Sequence, residues 1–296
     1  MNELSKRTLF GAIYVACTVG SILWHPVAFG VLFGIFVVLA VNEYLLLVKA
    51  PSLLRLAGTV AAVALWLATL FGSLPFSDFP EGYKAIRPIG TLVSVSIYLL
   101  LIFATLIGEL WGKAENPIAN WGNLLISQLM VALPFCSMVC LYGFESKLLL
   151  ALFVLIWIND TGAYCVGSLT AKQKGGNHKM FPRVSPKKSW EGLFGGFTFA
   201  IGAAFIMQHF GWFDTLATGS VALDKSLACL FALLTCIFGT LGDLMESLLK
   251  RTIGVKDSGK FLPGHGGVLD RFDSVLLAAP MLTLFTCLCY VVLLSC

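Results

Sequence analysis

Hydrophobic residues in this chain run in long blocks and do not alternate with polar ones. A bilayer crossing needs roughly 20 mostly apolar residues. Blocks of about that length occupy residues 8–24, 27–48, 53–74, 89–111, 121–142, 147–168, 190–210, 226–249 and 275–295. Polar residues with Pro or turn formers separate them, at His25-Pro26, Pro51-Ser52, Ser77 to Pro88 and Glu115-Asn116-Pro117. The pattern predicts an all-α polytopic membrane protein of about nine transmembrane helices. The first block follows Lys6-Arg7 like the start of a signal peptide, but with eight more behind it an uncleaved helix is expected. There is no internal repeat. Residues 1–296 read as one integral membrane domain, with N-terminal helices over 1–145 and the longest polar stretches, 169–189 and 250–274, in the half from 146 to 296.

Composition agrees with the pattern. Hydrophobic residues make up 58% and charged ones 12%, against about 25% charged in soluble domains. A soluble fold, disorder and a secreted disulfide scaffold are excluded, and a net charge of +4 is too small to argue for nucleic acid. The nine cysteines follow no ligand or disulfide spacing and read as small apolar residues. Charge placement sets an orientation. With the N-terminus in the cytoplasm, nine crossings put 16 Lys and Arg inside and 4 outside. Both long polar stretches then face the cytoplasm.

Candidate chemistry is densest between Gly242 and Ser274. Asp243, Ser247 and Lys250 share one helix face, where a carboxylate, a hydroxyl and an ammonium can bind a metal and an anion together. The plainer alternative is a solvated helix end with a Glu246–Lys250 pair. The helix is expected to stop at Gly254, followed by the Gly-rich Pro263-Gly264-His265-Gly266-Gly267 and by Asp270 and Asp273 on one side of the first turn of the last span. Free backbone N–H groups in such a loop suit phosphate oxygens. The acidic groups at Asp243 and at Asp270 with Asp273 would repel one another without a cation, and oxygen ligands beside phosphates favour Mg²⁺. Gly254-x4-Gly259-Lys260 is not a P-loop, because Phe261 stands where Ser or Thr is required.

A second segment runs from Asn159 to Gly192. Asn159-Asp160-Thr161 makes a polar notch inside a span, where an Asp is costly unless it meets protein, water or a partner. Ser185-Pro186-Lys187-Lys188-Ser189-Trp190-Glu191-Gly192 reads as a helix start, with Ser185 as N-cap, Pro186 first in the helix and both lysines beside free N–H groups as an anion site. Basic residues here also fit topology or attraction to anionic lipid alone.

Together these stretches resemble the phosphatidate cytidylyltransferase (CDP-diacylglycerol synthase) family. Its signature S-x-x-K-R-x4-K-D-x-G-x2-[LIF]-P-G-H-G-G-x2-D-R-x-D is met from Ser247 to Asp273. The matching positions are Ser247, Lys250, Arg251, Lys256, Asp257, Gly259, Pro263, Gly264, His265, Gly266, Gly267, Asp270, Arg271 and Asp273. The resemblance implies CTP + phosphatidate → CDP-diacylglycerol + pyrophosphate, with Mg²⁺ on Asp243 and Asp270 and K⁺ beside it. It also implies a homodimer in the bacterial cytoplasmic membrane. On this reading 146–296 is the catalytic half and Asp273 holds metal or supports it. Lys250, Arg251 and Arg271 clamp phosphate, while Asp160, Ser185, Lys187, Lys188 and Ser189 help to hold CTP or its metal. Ser247, Lys256, Asp257, His265, Gly266 and Gly267 complete the substrate site, and His265 is left between loop geometry and proton transfer. The alternatives are a CTP-dependent polyprenol kinase, or a synthase acting on another acidic lipid. A transporter would scatter ionisable residues near midplane in several spans, whereas Glu43 and Glu109 sit near span ends. Of 36 charged residues, 18 fall within 159–191 and 242–274.

Overall fold

The computed structural model describes residues 3–74, 81–173, 176–259, 261 and 266–295, the side chains of 3–7 and 81–85 excepted. Its helices are α1 Glu3–Trp24, α2 Pro26–Leu47, α3 Ser52–Ser73, α4 Glu81–Gly108, α5 Pro117–Ile126, α6 Leu133–Phe144, α7 Ser146–Thr170, α8 Trp190–His209, α9 Val221–Ile253, α10 Leu269–Phe272 and α11 Val275–Ser295. A π-helical stretch, Ser127–Ala132, joins α5 to α6, so the three cross as one unit. Among the described residues, eight helical stretches are long and apolar enough to span a membrane, and the chain is a multi-pass membrane protein. The apolar part of α1, Thr8–Trp24, falls short of that length.

Two further details depart from the sequence reading. The chain is not wholly helical: β1 Lys179–Phe181 and β2 Ser185–Ser189 form a short antiparallel hairpin. Ser185 is therefore not a helix cap, and Pro186, Lys187 and Lys188 lie in β2. Ser189 is the true cap, its Oγ accepting from the Gly192 N–H at 3.1 Å. Pro186 suits an edge strand as well as a first helical turn, so local preference did not separate the two. Asp270 also lies outside the first turn of the last span, in α10, and a turn at Asp273–Ser274 precedes α11.

The chain divides into two compact units. One comprises 1–143 with 257–272, the other 144–256 with 273–296. In the first, α2 packs on α1, α3 and the π stretch, and α3 on α4. The segment 257–272 belongs here because Phe272 is buried in an aromatic cluster with Tyr14, Phe33, Phe36 and Phe135. The π stretch turns Gln128 inward, where its amide donates to the Gly58 carbonyl at 3.0 Å and meets a buried backbone group.

In the second unit α7 packs on α8, α8 on α9, and α9 on α11. Close approach of α7 and α8 depends on glycine. A Cβ on Gly196 would lie 2.5 Å from Asn159 Oδ1 and 2.7 Å from the Asn159 carbonyl oxygen, and one on Gly195 would overlap Val166. Gly196→Ala should therefore destabilise the protein by about 1–3 kcal/mol. A lowered midpoint of thermal unfolding in detergent checks this, and an unchanged midpoint would contradict the packing.

Candidate active site

The polar groups of the second unit converge from four elements. On α7, Asp160 is open to a cavity of about 390 Å³, also lined by Asn159, Lys179, Lys187, Lys188 and Ser189. Lys188, at the end of β2, reaches across to α9. Its Nζ lies 2.8 Å from Asp243 Oδ2 and donates to the Thr240 carbonyl at 3.4 Å. Ser247, one turn on, donates to Asp243 Oδ1 at 3.2 Å, as their shared face requires. The predicted Glu246–Lys250 pair forms, but not in solvent. Glu246 is 3% exposed and Lys250 8%. Burial of a charge is tolerated when an opposite charge accompanies it.

Asp273 completes this group. The start of α11 lies so close to α9 that a Cβ on Gly242 would come within 2.6 Å of the Asp273 carbonyl oxygen. Desolvation, reinforced by the charges of Asp243 and Asp160, pushes the Asp273 carboxyl up to about 7, against the pull of the Ser274 N–H and Lys250. Its Oδ1 accepts that N–H at 2.6 Å. Three carboxylates thus act on one another electrostatically, while Lys188 and Lys250 offset part of their charge. Among the described residues, no group of three or more His, Cys, Asp or Glu side chains is arranged tightly enough to enclose a metal by itself.

In the first unit the described part of the signature segment is organised around Asp270, which is 8% exposed. Its Oδ2 accepts from Ser258 N at 2.8 Å and Gly267 N at 2.8 Å, and Ser258 Oγ lies 2.9 Å from it. Gly266, at φ 83°, takes a left-handed backbone that suits glycine, and a Cβ there would overlap Asp270 Oδ2. The Arg271 carbonyl accepts from the Tyr14 hydroxyl at 3.4 Å.

Several expected site residues lie away from these groups. Arg251 is exposed and donates to the Val255 carbonyl at 3.2 Å, stabilising the chain just past the Gly254 cap. Lys256 and Asp257 are exposed, and Ser185 is half-buried in β2. His265 lies outside the described residues. Sequence reasoning missed Glu43 of α2, noted only for its place near a span end. Its Oε2 accepts from Val268 N at 2.9 Å, and Ser258 Oγ donates to its Oε1. A carboxylate inside an apolar block with no neighbouring charge in sequence was the available signal.

Comparison with known proteins gives this arrangement a family. The sequence model described as "Cytidylyltransferase family" matches residues 5–289, nearly the whole chain. The chain belongs to the cytidylyltransferase family. Curated relatives in this family are named phosphatidate cytidylyltransferase. One from Haemophilus influenzae is 31% identical over 299 residues, covering 95% of this chain and 98% of the relative. One from Bacillus subtilis is 30% identical over 285 residues, covering 95% and 97%. One from Staphylococcus epidermidis is 33% identical over 258 residues, covering 86% and 88%. Family membership accounts for the shared signature from Ser247 to Asp273 and agrees with the resemblance read from it.

Proposed function

We propose that this protein is a phosphatidate cytidylyltransferase, forming CDP-diacylglycerol and pyrophosphate from CTP and phosphatidate. The observation that carries the reading is the convergence of Asp160, Lys188, Asp243 and Asp273 beside a lysine-lined cavity. This occurs in a chain matched end to end by relatives of that name.

A phosphate oxygen of the lipid attacks the α-phosphorus of CTP, and the bond from that phosphorus to the β-phosphate bridge breaks. Both reactants are anions, so catalysis consists mainly of positioning and neutralisation. Lys179, Lys187 and Lys188 line the cavity and are the groups to hold phosphate there. Lys250, Arg251 and Arg271 are assigned the same task by the signature. An ionised lipid phosphate needs no base, so His265 is not required to move a proton.

The carboxylate donors fit Mg²⁺, and the raised Asp273 carboxyl marks a place where added positive charge would be favourable. Asp243 and Asp273 are its proposed holders, and the resemblance gives Asp270 the same role, tested separately below. When bound, Mg²⁺ would neutralise phosphate oxygens as charge shifts to the leaving group. K⁺ dependence, a homodimeric state and a cytoplasm-facing site in the bacterial inner membrane belong to the same reading. They rest on the resemblance and on the 16-to-4 distribution of Lys and Arg.

Purified protein given phosphatidate, Mg²⁺ and CTP labelled in its α-phosphate should yield labelled CDP-diacylglycerol and unlabelled pyrophosphate. Release of labelled CDP with phosphorylation of the lipid would move the protein to the kinase class. A panel of acidic lipids in the same assay identifies the acceptor.

A further inference from the structure

The reaction outlined above gives Glu43 no task, yet its carboxylate is closely held. Glu43 lies near the end of α2 and is 9% exposed. Its carboxylate is enclosed by the signature segment. Val268 N–H donates to Oε2 at 2.9 Å, and Ser258 Oγ donates to Oε1. The two glycines beside these donors leave room for it. A Cβ on Gly259 would lie 2.8 Å from Glu43 Cδ and Oε1, and one on Gly267 would overlap Oε1 outright. Ser258 Oγ is also 2.9 Å from Asp270 Oδ2 and accepts from Asp270 N at 3.3 Å. One hydroxyl therefore joins the helix carboxylate to the loop carboxylate.

A carboxylate at the end of an apolar helix is costly unless polar groups surround it. Here those groups are backbone and side chain of the very segment that holds Asp270 and Gly267. Helix α2 is a continuous helix of 22 residues, whereas the 258–268 stretch carries little regular structure of its own among the described residues. We infer that Glu43 is a positioning residue for the reaction, fixing Ser258 and Val268 and through them Gly267 and Asp270. The inference rests on the proposed activity and goes beyond it, because it gives an N-terminal helix outside the signature a share in setting the site. Displacement of a reacting constellation by about 1 Å costs about 10²-fold in rate. Substrates held mainly by other groups would still bind.

The test is steady-state kinetics on the monodisperse, helical fraction of Glu43→Ala, Glu43→Gln and Ser258→Ala, with wild type alongside. Glu43→Ala should lower kcat by about 10²-fold while KM for CTP stays within about threefold, the pattern of a lost transition-state arrangement. Glu43→Gln should recover at least about a third of wild-type kcat, because an amide oxygen can accept the Val268 N–H and its NH₂ can donate to Ser258 Oγ. Ser258→Ala should lower kcat about tenfold or more by removing the shared hydroxyl. If Glu43→Ala yields no folded protein, Glu43→Gln and Ser258→Ala decide. Wild-type kcat in folded Glu43→Ala or Ser258→Ala overturns the inference. So does a folded Glu43→Gln as inactive as Glu43→Ala, since the charge itself would then be needed. Absence of CDP-diacylglycerol from the wild type overturns the proposed activity instead.

Discussion

Asp243→Asn should lower turnover on the order of 10³-fold, the scale expected when a group that holds the charge-neutralising centre of a phosphoryl transfer is removed. Asp243 is engaged on both oxygens, by Lys188 Nζ at 2.8 Å and by Ser247 Oγ at 3.2 Å. An amide has nearly the same shape, so α9 should remain intact. What is lost is the charge that pairs with Lys188 and repels Asp273. Two further signs should accompany the rate loss. Activity should demand much more Mg²⁺, and the Asp273 carboxyl should titrate lower than in the wild type, because one of its causes of elevation has gone. Rates at several Mg²⁺ concentrations check the first, and infrared difference titration of the carboxyl band checks the second. Turnover within tenfold of wild type at ordinary Mg²⁺ would remove Asp243 from the proposed metal site.

Asp270→Asn should abolish measurable turnover while folded, helical protein is still obtained. The side chain does two things in this reading. It supplies negative charge, and its Oδ2 collects Ser258 N, Ser258 Oγ and Gly267 N within 2.9 Å. An asparagine cannot keep this pattern. With its oxygen in that place it retains weaker, uncharged acceptance, and with its NH₂ there two N–H donors face a donor. Hydrogen bonds to charged groups contribute roughly 1.5–3 kcal/mol each, so the 258–270 segment should loosen. Faster amide hydrogen exchange at Ser258 and Gly267, measured beside the rate, separates loss of order from loss of charge. Near-normal turnover would exclude Asp270 from both tasks.

Much of this was legible in the chain because it depends on local or short-range rules. A bilayer demands long apolar runs, so the helices could be placed, with ends off by up to eight residues. The differences lie at polar ends: α9 extends from Val221 to Ile253, and α4 begins at Glu81 with Pro88 inside it. The Asp243–Ser247 contact followed from helical spacing, and the stop from the glycine at 254, which indeed takes a left-handed φ of 79°. At Ser185 to Ser189, the same residues satisfy the rules for a helix start and for an edge strand. The hairpin was decided by pairing with Lys179–Phe181.

The sequence by itself determined the membrane class, the family signature and which charged residues are candidates for the chemistry, since each is a matter of composition or of spacing along one segment. Only the tertiary structure decided who meets whom. It drew Lys188 from a hairpin to Asp243 on a helix 55 positions later. It buried the Glu246–Lys250 pair that spacing alone would leave in solvent. It also set the signature segment around Glu43, 215 residues away from Ser258. Such contacts arise from packing of elements distant in the chain, and a buried carboxylate declares its purpose only when the donors around it are in place.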